Sequence, residues 1–190
     1  RGPSVSEPVP APSAPAKPPP PAQYPGTRQP PAVSAAGAAL SDDDTVIGVV
    51  AAGRPRAYLL RAMNGGPENH VINDLVGGTP VSVTYCDLGR CVKVFTDSGS
   101  NPLELKVGGY QDGMVLYVGD RSFRQSTGKS TSPEDSGEIP LSRMKFEQTT
   151  WKKWREAHPD TDVVTTLRST KRGAPADDAA TQAPAKDTRP

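Results

Sequence analysis

The stretch "TPVSVTYCDLGRCVKVFT", residues 79–96, contains two runs of alternating side chains separated by a short polar segment. Alternation with a period of two is the pattern of a β-strand with one buried face. The four residues between the runs, Asp87 to Arg90, have the length and composition of a hairpin loop. The stretch therefore predicts two antiparallel strands, with Cys86 and Cys91 opposed at the base of the loop.

Short β-branched runs broken by Gly, Pro and Asp lie on both sides of this hairpin, and one segment differs from them. In "TTWKKWREAHPDT", residues 149–161, Trp151 and Trp154 are three residues apart, a threonine precedes them and Pro159 follows. This pattern predicts a helix that packs both indoles on a sheet and holds His158 at its end. We expect a mainly β fold: a single antiparallel β-rich sandwich or barrel-like domain with one short C-terminal helix.

Proline is unevenly distributed, with 12 of the 22 prolines before residue 32. Residues 1–40 contain almost no large apolar side chain, so they cannot bury enough surface to offset the entropy of ordering. The C-terminal end has the same composition. The sequence predicts a Pro/Ala-rich disordered linker over residues 1–40, a β-rich globular domain over 41–170 and a disordered tail over 171–190.

Charge and hydropathy exclude some classes of partner. The formal net charge is +1 and the basic residues are dispersed, which argues against nucleic acid as the main partner. No run of eighteen apolar residues is present to span a bilayer. Because the first residue is Arg1 rather than Met, we expect a processed chain, with membrane contact only through a segment upstream of Arg1.

The two cysteines have three interpretations. A disulfide between Cys86 and Cys91 would stiffen the hairpin and contribute about 2 kcal/mol, if the compartment is oxidising. A zinc or copper site would use both thiols with His70, and Asp74, Asp87 or water as the fourth ligand. A nucleophile would use Cys86 with His70 as base, oriented by Asn73 or Asp74. No stretch specifies a reaction, so we assign no catalytic residue.

Several motifs, in order along the chain, resemble the bacterial domain-of-unknown-function family 3179. They are "HVINDLVGGTPVSVTYCDL", "KVF", "MVLYVGDRSFRQSTG" and "TTWKKWREAHPDT", which together cover roughly residues 46–164. The resemblance implies a β-rich domain, typically of exported or anchored bacterial proteins. It implies no established reaction.

The resemblance also implies which positions matter. Members of that family usually carry a second cysteine three residues after the first, where this chain has Gly89, and Cys91 lies two residues further on. The shifted thiol suggests that pairing with Cys86 still matters. The other positions that match the family pattern are His70, Asn73, Asp74, Tyr85, Tyr117, Arg121, Gln125, Gly128 and the Trp151 helix.

These observations together predict an extracytoplasmic bacterial accessory domain, periplasmic or at the cell surface, tethered by the proline-rich arm. The arm would also be the point of contact with another protein or domain. The first hypothesis is a metal-binding or thiol redox site at Cys86, Cys91, His70 and Asp74, with zinc or copper as the metal. The alternative is a structural or interaction module whose cysteines form a hairpin disulfide.

Overall fold

The computed structural model describes residues 22–167 of the 190-residue chain. Residues 1–21 of the predicted linker and the whole predicted tail, residues 171–190, lie outside the described part. Within it, the fold is mainly β with one α-helix, as predicted. The strands in chain order are β1 Tyr24–Pro25, β2 Thr27–Arg28, β3 Val33–Ser34, β4 Thr45–Ala51, β5 Arg54–Leu59, β6 Val71–Val76, β7 Thr79–Cys86, β8 Cys91–Thr96, β9 Lys106–Tyr110, β10 Met114–Val118, β11 Arg121–Arg124, β12 Ser142–Arg143, β13 Glu147–Thr150 and β14 Asp162–Val164; the helix is α1 Trp151–Ala157.

The strands form three sheets rather than a closed barrel. The outer sheet has the order β1-β9-β10-β11, the middle sheet β12-β8-β7-β6-β2, and the helix-side sheet β13-β4-β5-β14-β3. Most neighbouring strands are antiparallel, as predicted, but β14 pairs with β5 and β2 pairs with β6 in parallel. These parallel pairs join segments far apart in the sequence, which local alternation cannot reveal.

The sheets stack in layers, because the middle sheet is apolar on both faces. One face of the middle sheet, including Ile72 and Val83, packs on Ile47 and Tyr58 of the helix-side sheet. Its other face, with Val71, Cys86 and Phe95, packs on the outer sheet. The order of layers is therefore helix, helix-side sheet, middle sheet and outer sheet.

The helix covers the remaining face of the helix-side sheet, as the tryptophan spacing predicts. Trp151 and Trp154 are buried against Val46, Ala57 and Val163. Thr150 caps the helix by accepting a hydrogen bond from the amide of Lys153. The helix ends at Ala157, and the His158 ring lies 4.0 Å from that of Trp154, centroid to centroid. Residue 48, which lies against the Trp154 ring, must be a glycine, since a Cβ there would lie 2.3 Å from that ring.

The region from residue 22 to residue 40 falls inside the predicted linker but contributes strands to the domain. The short strands β1, β2 and β3 each pair at the edge of a different sheet. Gly26 allows this close approach, because a Cβ there would meet Val71 Cγ1 at 2.7 Å. Backbone pairing, which composition does not encode, holds this segment in place.

Candidate functional site

The β7–β8 hairpin places the two cysteines opposite each other, as predicted. Cys86 and Cys91 are the last paired residues of the two strands before the loop. Arg90 closes the loop with a φ of 47°, a left-handed conformation. Because directly opposed residues of an antiparallel pair project from the same face, both thiols lie on the side of the middle sheet that packs on the outer sheet.

The two thiols differ in their surroundings, and they are not bonded to each other. Cys86 is buried, with 3 % of its surface exposed, among the apolar side chains between the middle and outer sheets. Its Sγ accepts a hydrogen bond from the amide of Gly89 at 3.3 Å. Cys91 is only half-buried. Solvent and reagents therefore reach Cys91 more readily than Cys86.

His70 lies beside the hairpin loop. It is the last residue of the 3₁₀ turn Pro67–His70, immediately before β6. Its Nε2 lies 3.9 Å from Oδ1 of Asp87, the residue that follows Cys86. Its Nδ1 is buried and has no hydrogen-bond partner. The structure therefore brings the predicted imidazole to the hairpin and leaves one of its nitrogens unused.

Asp74 lies on the opposite face of the middle sheet from the thiols. Along β6, alternate side chains point to opposite faces, and Asp74 shares its face with Ile72. Its carboxylate accepts hydrogen bonds from Arg56 Nη1 at 2.9 Å and from the Tyr58 hydroxyl at 2.8 Å. The predicted fourth metal ligand therefore stabilises the contact with the helix-side sheet instead.

A partly buried ionic cluster surrounds Asp74. Arg56 makes a bidentate contact with Asp162, with both N–O distances 2.7 Å. This contact with Asp162, together with the Asp74 carboxylate, raises the pKa of Arg56 above its usual range. Burial, with the nearby Asp74 carboxylate, raises the pKa of Tyr58 well above its usual value. We define these four residues, Arg56, Tyr58, Asp74 and Asp162, as the ionic cluster.

Asn73 is a structural residue in this arrangement. Its side-chain amide donates to the carbonyl of Leu105 at 2.9 Å and accepts from the amide of Leu105 at 3.3 Å. Ser82 donates to the same Asn73 oxygen. The amide thereby pairs with the Leu105 backbone as a neighbouring strand would. Neither Asn73 nor Asp74 contacts His70 in the way that an orienting residue for a base requires.

Gln125 contacts the hairpin and was not assigned a role from the sequence. Its Nε2 lies 3.2 Å from the Thr84 carbonyl, 2.9 Å from Thr84 Oγ1 and 3.0 Å from the Cys91 carbonyl. Gln125 is 2 % exposed. The only signal in the sequence was that this glutamine matches the family pattern, and that match does not say what the side chain touches.

The described residues do not assemble the predicted zinc or copper site. Among residues 22–167, no group of three or more His, Cys, Asp or Glu side chains is placed to hold a metal ion. Asp74 is on the other face, which leaves Cys86, Cys91, His70 and Asp87 as the candidate ligands near the hairpin. Metal binding by those residues stays a prediction.

The principal hollows of the described surface have other linings. Their volumes are about 300 to 490 Å³. One lies against Asn73 and Leu105, one against the loop of residues 97–105, and two flank His158. None of these four is lined by Cys86, Cys91 or His70.

Within residues 22–167, the structure contains no helix with the length and apolar character needed to cross a bilayer.

Comparison with known proteins identifies one family. The model of the family described as "Protein of unknown function (DUF3179)" matches residues 22–179. The match begins where the described structure begins and covers all three sheets and the helix. No curated protein and no solved structure matches this chain.

Proposed function

We propose that this chain, which belongs to the family of proteins of unknown function DUF3179, is an extracytoplasmic accessory domain whose Cys86–Cys91 hairpin is a thiol–disulfide redox site. One observation carries the proposal: two unbonded thiols are in direct register at the neck of a hairpin. Opposed residues in antiparallel strands are separated by about 4.5 to 5.5 Å at Cα, within the range that a disulfide accepts.

The placement of the ligands favours redox chemistry over metal binding. A closed zinc site needs four ligands, and a catalytic one needs three plus water. Asp74 is bound in the ionic cluster on the other face of the sheet, and within residues 22–167 no three His, Cys, Asp or Glu side chains are placed together to hold a metal ion. Two thiols are sufficient for reversible disulfide formation, and both are present on one face.

The difference in exposure assigns different roles to the two thiols. Cys91 attacks a disulfide on a partner protein, because the thiolate must reach the sulfur that it attacks. One partner sulfur leaves with a proton, and a mixed disulfide with Cys91 remains. Cys86 then attacks the Cys91 sulfur, the second partner sulfur leaves with a proton, and the Cys86–Cys91 bond forms. The domain loses two hydrogen atoms, and the partner disulfide is reduced to two thiols.

His70 supports this chemistry as a proton carrier. Its imidazole lies next to the hairpin loop, within 4 Å of Asp87, and its Nδ1 has no competing partner. An imidazole nitrogen can accept a proton and release it again, which is what forming a thiolate and protonating a leaving thiolate require.

An extracytoplasmic location fits such a pair, since disulfides persist in oxidising compartments. The proline-rich composition of residues 1–21 is typical of linkers, and it suits a tether that brings the hairpin to another protein or domain.

Equilibration of the full chain in glutathione buffers of graded redox ratio tests the proposal. We expect the two thiols, counted by mass spectrometry after alkylation, to convert reversibly into one intramolecular disulfide. Cys86→Ser should accumulate glutathione as a mixed disulfide on Cys91, whereas Cys91→Ser should accumulate little, because Cys86 is buried.

Two other results would overturn the redox function. A bond that resists excess dithiothreitol would support the structural module with a permanent hairpin disulfide. Stoichiometric zinc or copper in protein purified without chelator, lost in Cys86→Ser, would support a metal site.

A further inference from the structure

We infer that Gln125 is a positioning residue for the thiol pair and that it favours the dithiol form over the disulfide. This inference rests on the redox function proposed above. Gln125, in the turn that follows β11, contacts both strands of the hairpin beside the cysteines through its side-chain amide.

Backbone hydrogen bonds hold the main chain of Gln125 and of the turn that follows it in place. Its amide donates to the Met114 carbonyl at 2.9 Å, which continues the β10–β11 pairing by one residue. A tight turn follows, in which the Gly128 amide donates to the Arg124 carbonyl at 2.7 Å and Gly128 adopts a φ of 78°. The side chain therefore projects from a rigid base toward the middle sheet.

The hydrogen-bond partners identify which end of the side-chain amide faces the hairpin. Both the Thr84 and Cys91 carbonyls only accept hydrogen bonds, so the atom between them must be the Nε2 donor. Thr84 Oγ1 accepts from the same nitrogen and donates to the Lys93 carbonyl at 2.9 Å. The contacts thus extend from β11 to both strands of the hairpin neck.

These contacts bear on the Cys86–Cys91 equilibrium because they hold the backbone of Cys91 itself. A disulfide requires its two sulfurs to approach to about 2.05 Å and its Cβ atoms to about 3.8 Å. Directly opposed residues of an antiparallel pair have Cβ atoms about 4.5 to 5.5 Å apart, so the bond forms only if the Cβ atoms of Cys86 and Cys91 come closer, even though their Cα separation already suits a disulfide. That movement shifts the backbone of Cys91, whose carbonyl accepts a hydrogen bond from Gln125 while the thiols are unbonded. The hydrogen bonds therefore stabilise the dithiol geometry, and closing the disulfide weakens them.

The test measures the equilibrium constant for forming the Cys86–Cys91 disulfide in the full-length chain with glutathione as the redox partner. In the reaction, oxidised glutathione and the two thiols give the Cys86–Cys91 disulfide and two reduced glutathione molecules. Gln125→Met keeps the length of the side chain and removes the donor. We expect its constant for disulfide formation to rise about fivefold, the equivalent of one hydrogen bond.

Two further variants separate positioning from a loss of stability. Gln125→Asn retains the amide but shortens its reach, and we expect its equilibrium constant for disulfide formation to rise as well. This variant tests the inference if Gln125→Met does not fold. Thr161→Val removes a buried hydrogen bond, the one from Trp154 Nε1 at 2.9 Å, in the helix layer. This control should lose stability while its redox constant stays unchanged.

The outcomes distinguish this inference from the function on which it rests. If the parent pair is reversible but the glutamine variants have a constant within about twofold of the parent or below it, the positioning role is overturned and the redox function stands. If the parent pair never closes, or never reopens, both are overturned.

Discussion

Two sets of polar groups on opposite faces of the middle sheet differ in how far their hydrogen-bonding capacity is used. On the face toward the helix-side sheet, the ionic cluster is saturated: Asp74 is 2 % exposed and both of its oxygens accept hydrogen bonds. On the face toward the outer sheet, the Cys86 and Cys91 thiols are unbonded to each other, and His70 at the adjoining loop has an unpartnered Nδ1. The first set is held by hydrogen bonds inside the protein, and the second contains thiols and a ring nitrogen that the proposed redox function would use.

This difference shows how to separate structural from reactive polar residues in a buried sheet. A polar side chain whose donors and acceptors are all used inside the protein contributes to stability, and its removal leaves partners unpaired. A side chain with unused reactive atoms is tolerated only because it is weakly polar, as a thiol is, or lies near solvent. The loss of unfolding free energy should therefore be largest when the cation of the ionic cluster is removed and smallest when the half-buried Cys91 thiol is changed.

The largest effect should come from Arg56→Met. The substitution leaves Asp74 buried without its cation, and breaking such a pair costs about 3 to 5 kcal/mol. Urea unfolding would measure the loss. Arg61→Met is the matched control, since the Arg61–Asp44 pair is 3.2 Å long but the Arg61 side chain is 56 % exposed. A loss no larger than that of the control would show that the ionic cluster does not hold the two sheets together.

Asn73→Ala should come next, and it sharpens the comparison because Asn73 lies on the same face as the thiols. It removes both contacts with the Leu105 backbone and the one with Ser82, so we expect a loss of about 2 to 3 kcal/mol in unfolding free energy. The exposed Asn101→Ala is the control. A stable Asn73→Ala protein with altered thiol reactivity would assign Asn73 to the reactive set instead.

Tyr58→Phe should cost about 1 kcal/mol at neutral pH, the value of the hydrogen bond to Asp74. Its effect on pH dependence has a definite sign. Because the folded protein holds the pKa of Tyr58 above the ordinary value of 10.0, the unfolded chain loses this proton first. The stability that comes from the protonated Tyr58 hydroxyl is complete below pH 10. It is lost as the pH rises above 10 toward the pKa of the folded state.

Denaturant titrations from pH 8 to pH 11 would reveal this slope, since about pH 10 is where an unfolded tyrosine titrates. The parent should lose stability above that pH more steeply than Tyr58→Phe. Tyr110→Phe is the control because Tyr110 is 55 % exposed, and its profile should follow that of the parent. Parallel profiles for the parent and Tyr58→Phe would contradict the buried, protonated phenol.

The smallest effect should come from Cys91→Ser, with a stability change below about 0.5 kcal/mol, since the site is partly solvated. Cys86→Ser should cost more, about 1 to 2 kcal/mol, because it buries a hydroxyl among apolar side chains. Thermal unfolding of the two reduced proteins provides the comparison. Equal losses would mean that the two sulfurs do not differ in burial.

Local patterns in the sequence were sufficient to predict much of the fold. Alternation predicted the β7–β8 hairpin and the pairing of Cys86 with Cys91, and the tryptophan spacing predicted the helix. Both depend on residues close together in the chain. The strands at residues 24–34 were not predicted, because they are held by pairing with distant strands and not by their own composition.

The candidate site was predictable only in part. His70 does approach the hairpin, but the sequence could not assign a face to Asp74, and "HVIND" reads equally well with either register. Arg56 and Asp162 gave no sign of pairing, since 106 positions separate them. Gln125 lies 34 positions from Cys91, in the turn that follows β11.

From its residues alone, the chain determined that it would form short strands, one capped helix and a hairpin with two opposed thiols, since these depend on side-chain periodicity and turn residues. Only the tertiary structure decided which polar groups are saturated and which remain available. The physical reason is that hydrogen-bond satisfaction in a stacked-sheet protein depends on which layer covers each face. That covering layer comes from distant parts of the chain.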